Sequence, residues 1–364
     1  MTQRNHDLLR LHLTPGLGRT ALFKLKEVFG SFDAALSATP LQLQRRAGLS
    51  PRITAALAAD DAGRFRQTRR RLHDLAVRLV SFWDQDYPAL LRQIHDPPAL
   101  LYLRGSLPAG DALAIVGSRR ATPGGLQLTR ELAAELASRG IAIASGLARG
   151  IDTAAHLGAL DVDGATVAVL GCGIDRVYPA ENARLFQRIL EKNAVISEFP
   201  PGTPPLAGHF PGRNRIISGL SRGVLVVEAA EGSGSLITSD FALEQGREVF
   251  AVPGAVKNRT SSGPNRLIKD GAQMVTEADD ILHLLWPKLP SARQQNADSV
   301  FLAQLDERQR KLYLQLDAEP QHIDEIGRKC ALTPMDVSAI LLDLELQGGV
   351  QALPGRYYIR GSLP

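Results

Sequence analysis

The chain has only two cysteines in 364 residues, Cys172 and Cys330, far apart and with no metal-ligand spacing around either. A disulfide framework and a zinc site are thereby excluded as organising devices. No apolar run approaches the ~18 residues of a membrane span. The opening stretch MTQRNHDLLRLHL lacks the apolar core of a signal peptide, so a cytoplasmic protein is expected. Catalytic chemistry is sparse too. There is no Ser/His/Asp set, and the Gly/Ser loop EGSGS at 231–235 lacks the lysine of a Walker A loop. No catalytic residue, cofactor or metal is therefore expected.

What remains is ordinary in bulk, with 44% hydrophobic and 22% charged residues, and long enough for two or three domains. Charge is placed unevenly. Residues 1–80 carry fourteen Lys/Arg against six Asp/Glu, a net +8, whereas residues 291–364 are net −2. A basic N-terminal segment of that size fits a polyanion partner, although a solvated basic face gives the same count.

The residues around which the rest is organised run from 112 to 156. The apolar stretch 112–116 reads as a buried strand, followed by Gly117, Ser118, Arg119 and Arg120. Thr122 and Pro123 then cap and open a helix that Gly140 ends. A second strand over 141–144 leads to Gly146 and Arg149 and to a helix bearing Asp152 and His156, the latter expected to be packed. Further strands are expected at 77–82, 100–104, 166–170, 194–197, 223–227 and 248–252, alternating with helices. This alternation predicts a doubly wound α/β sheet with its strand-to-helix turns along one rim. Three such turns, the third carrying Gly232, Ser233, Gly234 and Ser235, are expected to offer backbone N–H groups and helix N-termini to phosphate.

Between the strands, the proline-rich residues 198–212 read as irregular chain delivering Phe210 into Arg213, Asn214 and Arg215. An aromatic beside two arginines and an amide suits single-stranded nucleic acid, by stacking and phosphate pairing. A buried phenylalanine with two surface arginines is the competing reading. Residues 7–60 read as several short helices, and Pro15-Gly16-Leu17-Gly18 within them resembles the turn of a helix-hairpin-helix, with a small capped bundle as the alternative. A basic helix from 62 follows, with Arg64, Arg66, Arg69, Arg70 and Arg71. Past a polar linker, three helices at 307–316, 323–329 and 335–346 and a hairpin fit a winged helix. Its third helix contains Asp336, Asp343 and Glu345 and no Lys or Arg, which favours protein contact over phosphate. The seam Val337, Ile340, Leu341, Leu344 and Leu346 is expected to form its core.

The motifs IVGSRRATPGG, ASGLARGIDTAAH, VAVLGCGIDRVYP, ISEFPPGTPPL, FPGRNRIISGLSRGVLVVEAAEGSGSLIT, EQGREVFAVPG and NRLIKDGA, together spanning 113–270, closely resemble the DNA-processing protein DprA (Smf) family. The resemblance implies an α/β, Rossmann-like doubly wound sheet with a small helical N-terminal domain and a C-terminal winged-helix domain. The expected boundaries are 1–75 for a helical (SAM/helix-hairpin-helix-like) domain, 76–288 for the Rossmann-like domain, 289–299 for a linker and 300–364 for the winged helix. It also implies a cytoplasmic, generally dimeric binder that protects incoming single-stranded DNA during natural transformation (competence) and helps load the recombinase RecA. Duplex DNA is a further expected partner, through the N-terminal domain. Carried onto matching positions, the DNA-binding residues are Gly117, Ser118, Arg119, Gly146, Arg149, Phe210, Arg213, Asn214, Arg215 and Gly234. The chain departs from the family where some relatives have a lysine before the Phe, here Leu206, Ala207 and Gly208, and where many have a basic residue, here Gly212. The rival reading is a nucleotide-cleaving Rossmann-fold enzyme using the Gly/Ser loop with Glu228 or Glu244.

Overall fold

The computed structural model describes residues 2–59, 62–289, 301–316 and 319–361. They form two compact units, residues 1–281 and 282–364. The larger is built on a nine-stranded sheet. In chain order its strands are β1 Arg78–Ser81, β2 Leu100–Gly105, β3 Ala112–Val116, β4 Ala142–Ser145, β5 Thr166–Leu170, β6 Ala194–Ser197, β7 Gly223–Val226, β8 Glu248–Ala251 and β9 Gln273–Met274. Their spatial order is β1-β2-β6-β5-β4-β3-β7-β8-β9, parallel from β6 through β9, with β2 and β1 added antiparallel. The apolar runs explain this arrangement. Strands of a parallel sheet are covered on both faces, and β3, ALAIV, is buried at every position.

Alternation along the strands sorts side chains into two layers. In β5, Val167 and Val169 join one apolar core while Ala168 and Leu170 join the other. In β2, Leu101 and Leu103 fall with the first pair, Leu100 and Tyr102 with the second. The N-terminal helices, Gln3–His12, Arg19–Phe29, Phe32–Ser37, Pro40–Ala47, Pro51–Ala58 and Ala62–Asp74, belong to this second layer. Their starts follow the expected capping chemistry, with Thr39 and Gln42 forming a capping box ahead of Pro40. Leu8, Leu9, Leu11 and Phe32 share one apolar core with Tyr102, Leu170 and Phe186, so the helical segment closes over the sheet as part of the same unit.

The irregular chain expected over 198–212 stops earlier than its prolines imply: a helix, His209–Gly219, begins inside it. Pro211 lies in the first turn of that helix, where its missing N–H would have had no intrahelical partner. Phe210, Arg213, Asn214 and Arg215 are therefore fixed on a helix instead of a loop.

The smaller unit is a winged helix. Helices Glu307–Tyr313, Ile323–Cys330 and Pro334–Leu346 pack with a sheet of β10 Gln321–His322, β11 Val350–Leu353 and β12 Tyr357–Arg360, in the order β10-β12-β11. Leu312, Tyr313, Ile326, Val337, Leu341 and Leu344 make its core. Leu346, expected in that core, is instead 79% exposed, because it follows buried Leu344 by two residues, about 200° around the helix, and so lies off the face formed by Val337, Leu341 and Leu344. The linker expected at 289–299 lies, from residue 290 on, outside the described residues.

Candidate nucleic-acid interface

The chain leaves β3 for β4, β5 and β6 on one side, and β7 leads to β8 and β9 on the other. β3 and β7 are parallel neighbours, Val116 opposite Val226, so the sheet's winding reverses between them. Loops diverge at such a point and leave a crevice beyond the carboxyl ends of the strands. A cleft of about 860 Å³ lies there. Gly117, Ser118, Arg119 and Arg120 line it from the turn after β3, Phe210, Arg213 and Asn214 from helix His209–Gly219, Ser233, Gly234 and Ser235 from the loop after β7, with Tyr178 and Arg259 at its edges.

The backbone amides of this rim are largely occupied already. After β3, the Thr122 amide donates to Glu228 Oε2 at 3.0 Å, the Thr122 hydroxyl donates to Glu228 Oε1, and the Gly125 amide donates to Thr122 Oγ1 at 3.1 Å. After β4, Asp152 Oδ2 accepts from the amides of Gly146 and Ala148 at 3.1 and 3.3 Å. Two of the three turns thus already have amides bound by carboxylates of the chain itself. The third offers the Ser233 and Ser235 hydroxyls, 2.8 Å apart, while the Gly234 carbonyl accepts from Asn214 Nδ2 at 3.0 Å. Gly117 has a steric task in this arrangement, since a Cβ there would lie 2.6 Å from Ile151 Cγ1 and 2.8 Å from the Glu228 carbonyl.

The two arginines of the Arg-Asn-Arg run face inward. Arg213, 4% exposed, donates from Nη1 to the carbonyl oxygens of Gly146, at 2.7 Å, and Val169. Burial pulls its guanidinium down to about 10, against the opposing influence of the Asp152 carboxylate. Burial shifts Asp152 the other way, raising its carboxyl, while Arg213 and the two amides hold it back. Gly146 makes room for this, because a Cβ would meet the Arg213 guanidinium at 2.5 Å. Arg215, 3% exposed, donates from Nη2 to both Glu198 oxygens at 2.7 and 2.8 Å and from Nε to Asp96 at 3.1 Å. It lies outside the cleft lining, as does Arg149, which is exposed and paired with Glu181.

The cations that face the cleft from exposed positions are Arg119, Arg120 and Arg259, and none makes an ion pair among the described residues. The carboxylates in the lining are Asp152, already occupied, and the exposed Glu231. Half-buried Phe210 lines the same cleft. Its ring packs over Gly171, where a Cβ would lie 2.8 Å away, and is 5.5 Å from the ring of Tyr178. The Arg119 and Arg213 guanidinium groups lie 5.6 and 5.9 Å from its centroid. Tyr178, 42% exposed, thereby forms an aromatic pair with Phe210 at the cleft edge.

Other candidates lie elsewhere. His156 is fully buried, its Nδ1 2.7 Å from the Thr166 hydroxyl, and burial lowers its pKa to about 3, so it stays neutral. The Cys172 thiol is pushed up to about 11 by burial. Both Glu228 oxygens are engaged by Thr122, and exposed Glu244 is absent from the cleft lining. Reading the sequence placed Arg120 in the turn after β3 without counting it among the DNA-binding residues, and missed Arg259 and Tyr178 as cleft residues. The basic pair Arg119-Arg120 offered a signal for the first. Arg259 and Tyr178 reach the cleft from distant loops and carry none.

Fold and cleft define a class: a Rossmann-like α/β protein whose switch-point crevice is lined by arginine, serine and aromatic side chains, joined to a winged helix. The chain belongs to the DNA recombination-mediator protein A family, whose model matches residues 78–286, and the DprA winged helix domain matches residues 297–356. It is similar to Protein Smf of Escherichia coli K12, 45% identical over 279 residues and 74% of either chain. It is also similar to the DNA processing protein DprA of Streptococcus pneumoniae R6, 46% identical over 204 residues, 56% of this chain and 72% of that one. The X-ray structure of DprA from Streptococcus pneumoniae superposes with a TM-score of 0.70 at 36% identity, covering 78% of this chain and 98% of that one. DNA processing protein A from Helicobacter pylori, described in a single-stranded DNA binding mode, gives a TM-score of 0.51 at 30% identity over 58% of this chain and all of its own.

Proposed function

We propose that this chain binds single-stranded DNA in the switch-point cleft, shields it, and delivers it to the recombinase RecA during natural transformation. In this reading it works in the cytoplasm as a homodimer, without catalysis or a cofactor. One observation carries the binding step: three exposed guanidinium groups, Arg119, Arg120 and Arg259, with no ion-pair partner among the described residues, line the same cleft as the ring pair of Phe210 and Tyr178. Guanidinium groups hold backbone phosphates of any sequence, and ring faces stack with any base. Ser118, Asn214 and Gly234 shape the lining, Gly117 permits the turn, and the interior Arg213 and Arg215, with Gly146, hold the Phe210 helix in place. Arg149, outside the lining and paired with Glu181, is given no contact in this reading.

Phe210→Ala tests the stacking element. It is expected to weaken binding of homopolymer single strands by about 1–3 kcal/mol with almost no change in the salt dependence. Unchanged affinity removes the ring from the interface.

The winged helix is assigned to partner handling instead of DNA holding. Its third helix, Pro334–Leu346, is acidic and leaves Met335, Leu342 and Leu346 exposed, a combination that repels phosphate and suits protein. Ending the chain near residue 290 is therefore expected to leave single-strand affinity within about threefold, a difference of ~0.65 kcal/mol. Its effect is expected in self-association or recombinase contact. A larger loss of DNA affinity in a folded truncation of unchanged oligomeric state makes the winged helix a DNA reader.

A further inference from the structure

A second groove, of about 390 Å³, runs between the basic helix Ala62–Asp74 and the proline-rich loop after β6. One wall is a single helix face, Arg64, Gln67, Thr68 and Arg71, at the spacing that brings side chains into line. The other wall is the loop of residues 200–204, Pro-Pro-Gly-Thr-Pro. No carboxylate lines the groove among the described residues. The loop is pinned: the Gly202 amide donates to Asp175 Oδ1 at 2.8 Å, the Gly202 carbonyl accepts from Arg176 Nε at 3.2 Å, and Asp175 also pairs with Arg71. A fixed wall facing two guanidinium groups and two neutral hydrogen-bonding side chains is suited to an anion that carries no apolar bulk.

Its position matters as much as its chemistry. Pro204 lines this groove, and Pro205, the next residue, lines the main cleft, so one loop is the shared wall of both. Consecutive residues are ~3.8 Å apart, less than the length of a nucleotide unit; exposed Arg176 binds the groove's Gly202 carbonyl and exposed Tyr178 lines the main cleft.

We propose that this groove is a second subsite for the backbone phosphates of the single strand leaving the main cleft. The inference rests on the single-strand reading above and extends it: the strand's path continues over the 204/205 step onto helix Ala62–Asp74, which takes at least one phosphate through Arg64 and Arg71.

The test compares the full chain with Arg64→Ala and with Gln67→Glu, both at exposed positions, against thymidine homopolymers of about six and about twenty nucleotides and against a duplex. Arg71 is kept, because its removal would strand the buried Asp175 carboxylate. For the long strand, either substitution is expected to lower affinity about fivefold near 0.1 M salt and to reduce the log–log salt slope by about 0.7, with the short strand unaffected. Arg64→Lys, which keeps the charge, is expected to hold the long strand nearly as the parent does. Unchanged long-strand affinity overturns the proposal, as does an equal loss for both lengths or a loss confined to duplex. Arg119→Ala in parallel separates the two claims: if it weakens both lengths while the groove variants do nothing, the cleft reading stands and the groove falls.

Discussion

Arg213→Ala is expected to lower the melting temperature of the larger unit by roughly 10 °C, because the side chain is interior structure. Removing it leaves the Gly146 and Val169 carbonyls without this donor and strips the buried Asp152 carboxylate of its nearest compensating charge. Breaking a buried charge pair by deleting one member costs about 3–5 kcal/mol, since the partner remains desolvated. A phosphate ligand on the surface would behave in the opposite way, with an unchanged melting temperature and a smaller salt slope for DNA binding. Differential scanning calorimetry of the free protein, without DNA, decides between them. An unaltered transition contradicts the interior role and returns Arg213 to the surface reading.

The largest binding effect is expected from the combined substitution of Arg119, Arg120 and Arg259 by alanine. Each released single-strand phosphate contact removes about 0.7 from the log–log salt slope. Three contacts amount to a change of about 2, or roughly a hundredfold in affinity near 0.1 M salt. None of the three makes an ion pair among the described residues, and Arg119 and Arg120 are exposed in the turn after β3, so the fold has little to lose. The change in affinity is expected to be equal for homopolymers of different bases. A loss confined to one base would assign these residues to base edges instead of phosphates. An unchanged slope would place the strand elsewhere on the molecule.

Strand positions were legible because parallel strands buried on both faces are written as continuous apolar runs: 112–116, 166–170 and 194–197 form over the expected residues. The site was legible in part. Gly117, Ser118, Arg119, Phe210, Asn214 and Gly234 do converge at the cleft, since the rule placing strand-to-helix turns on one rim follows from chain handedness alone. The inward turn of Arg213 and Arg215 was not legible. Their partners, Gly146, Val169, Glu198 and Asp96, lie between 17 and 119 residues away, and no local pattern announces them. Nor did the sequence announce that Glu228 and Asp152 already occupy the amides expected to be free for phosphate. Each carboxylate reaches its turn only once β7 lies beside β3 or the chain folds back after β4. The same limit hid the start of helix His209–Gly219, because a proline that breaks a helix interior is harmless in a first turn.

The central claim is that a single strand lies in the switch-point cleft with a base against Phe210. Photocrosslinking of the full chain to a homopolymer carrying iodouracil, followed by tryptic mapping, tests it directly. Trypsin releases residues 193–213 as one peptide containing Phe210. The account predicts the crosslink in this peptide at Phe210, lost in Phe210→Ala and diminished when Arg119, Arg120 and Arg259 are replaced together. A crosslink confined to residues 301–361 of the winged helix, with the 193–213 peptide unmodified, would contradict it.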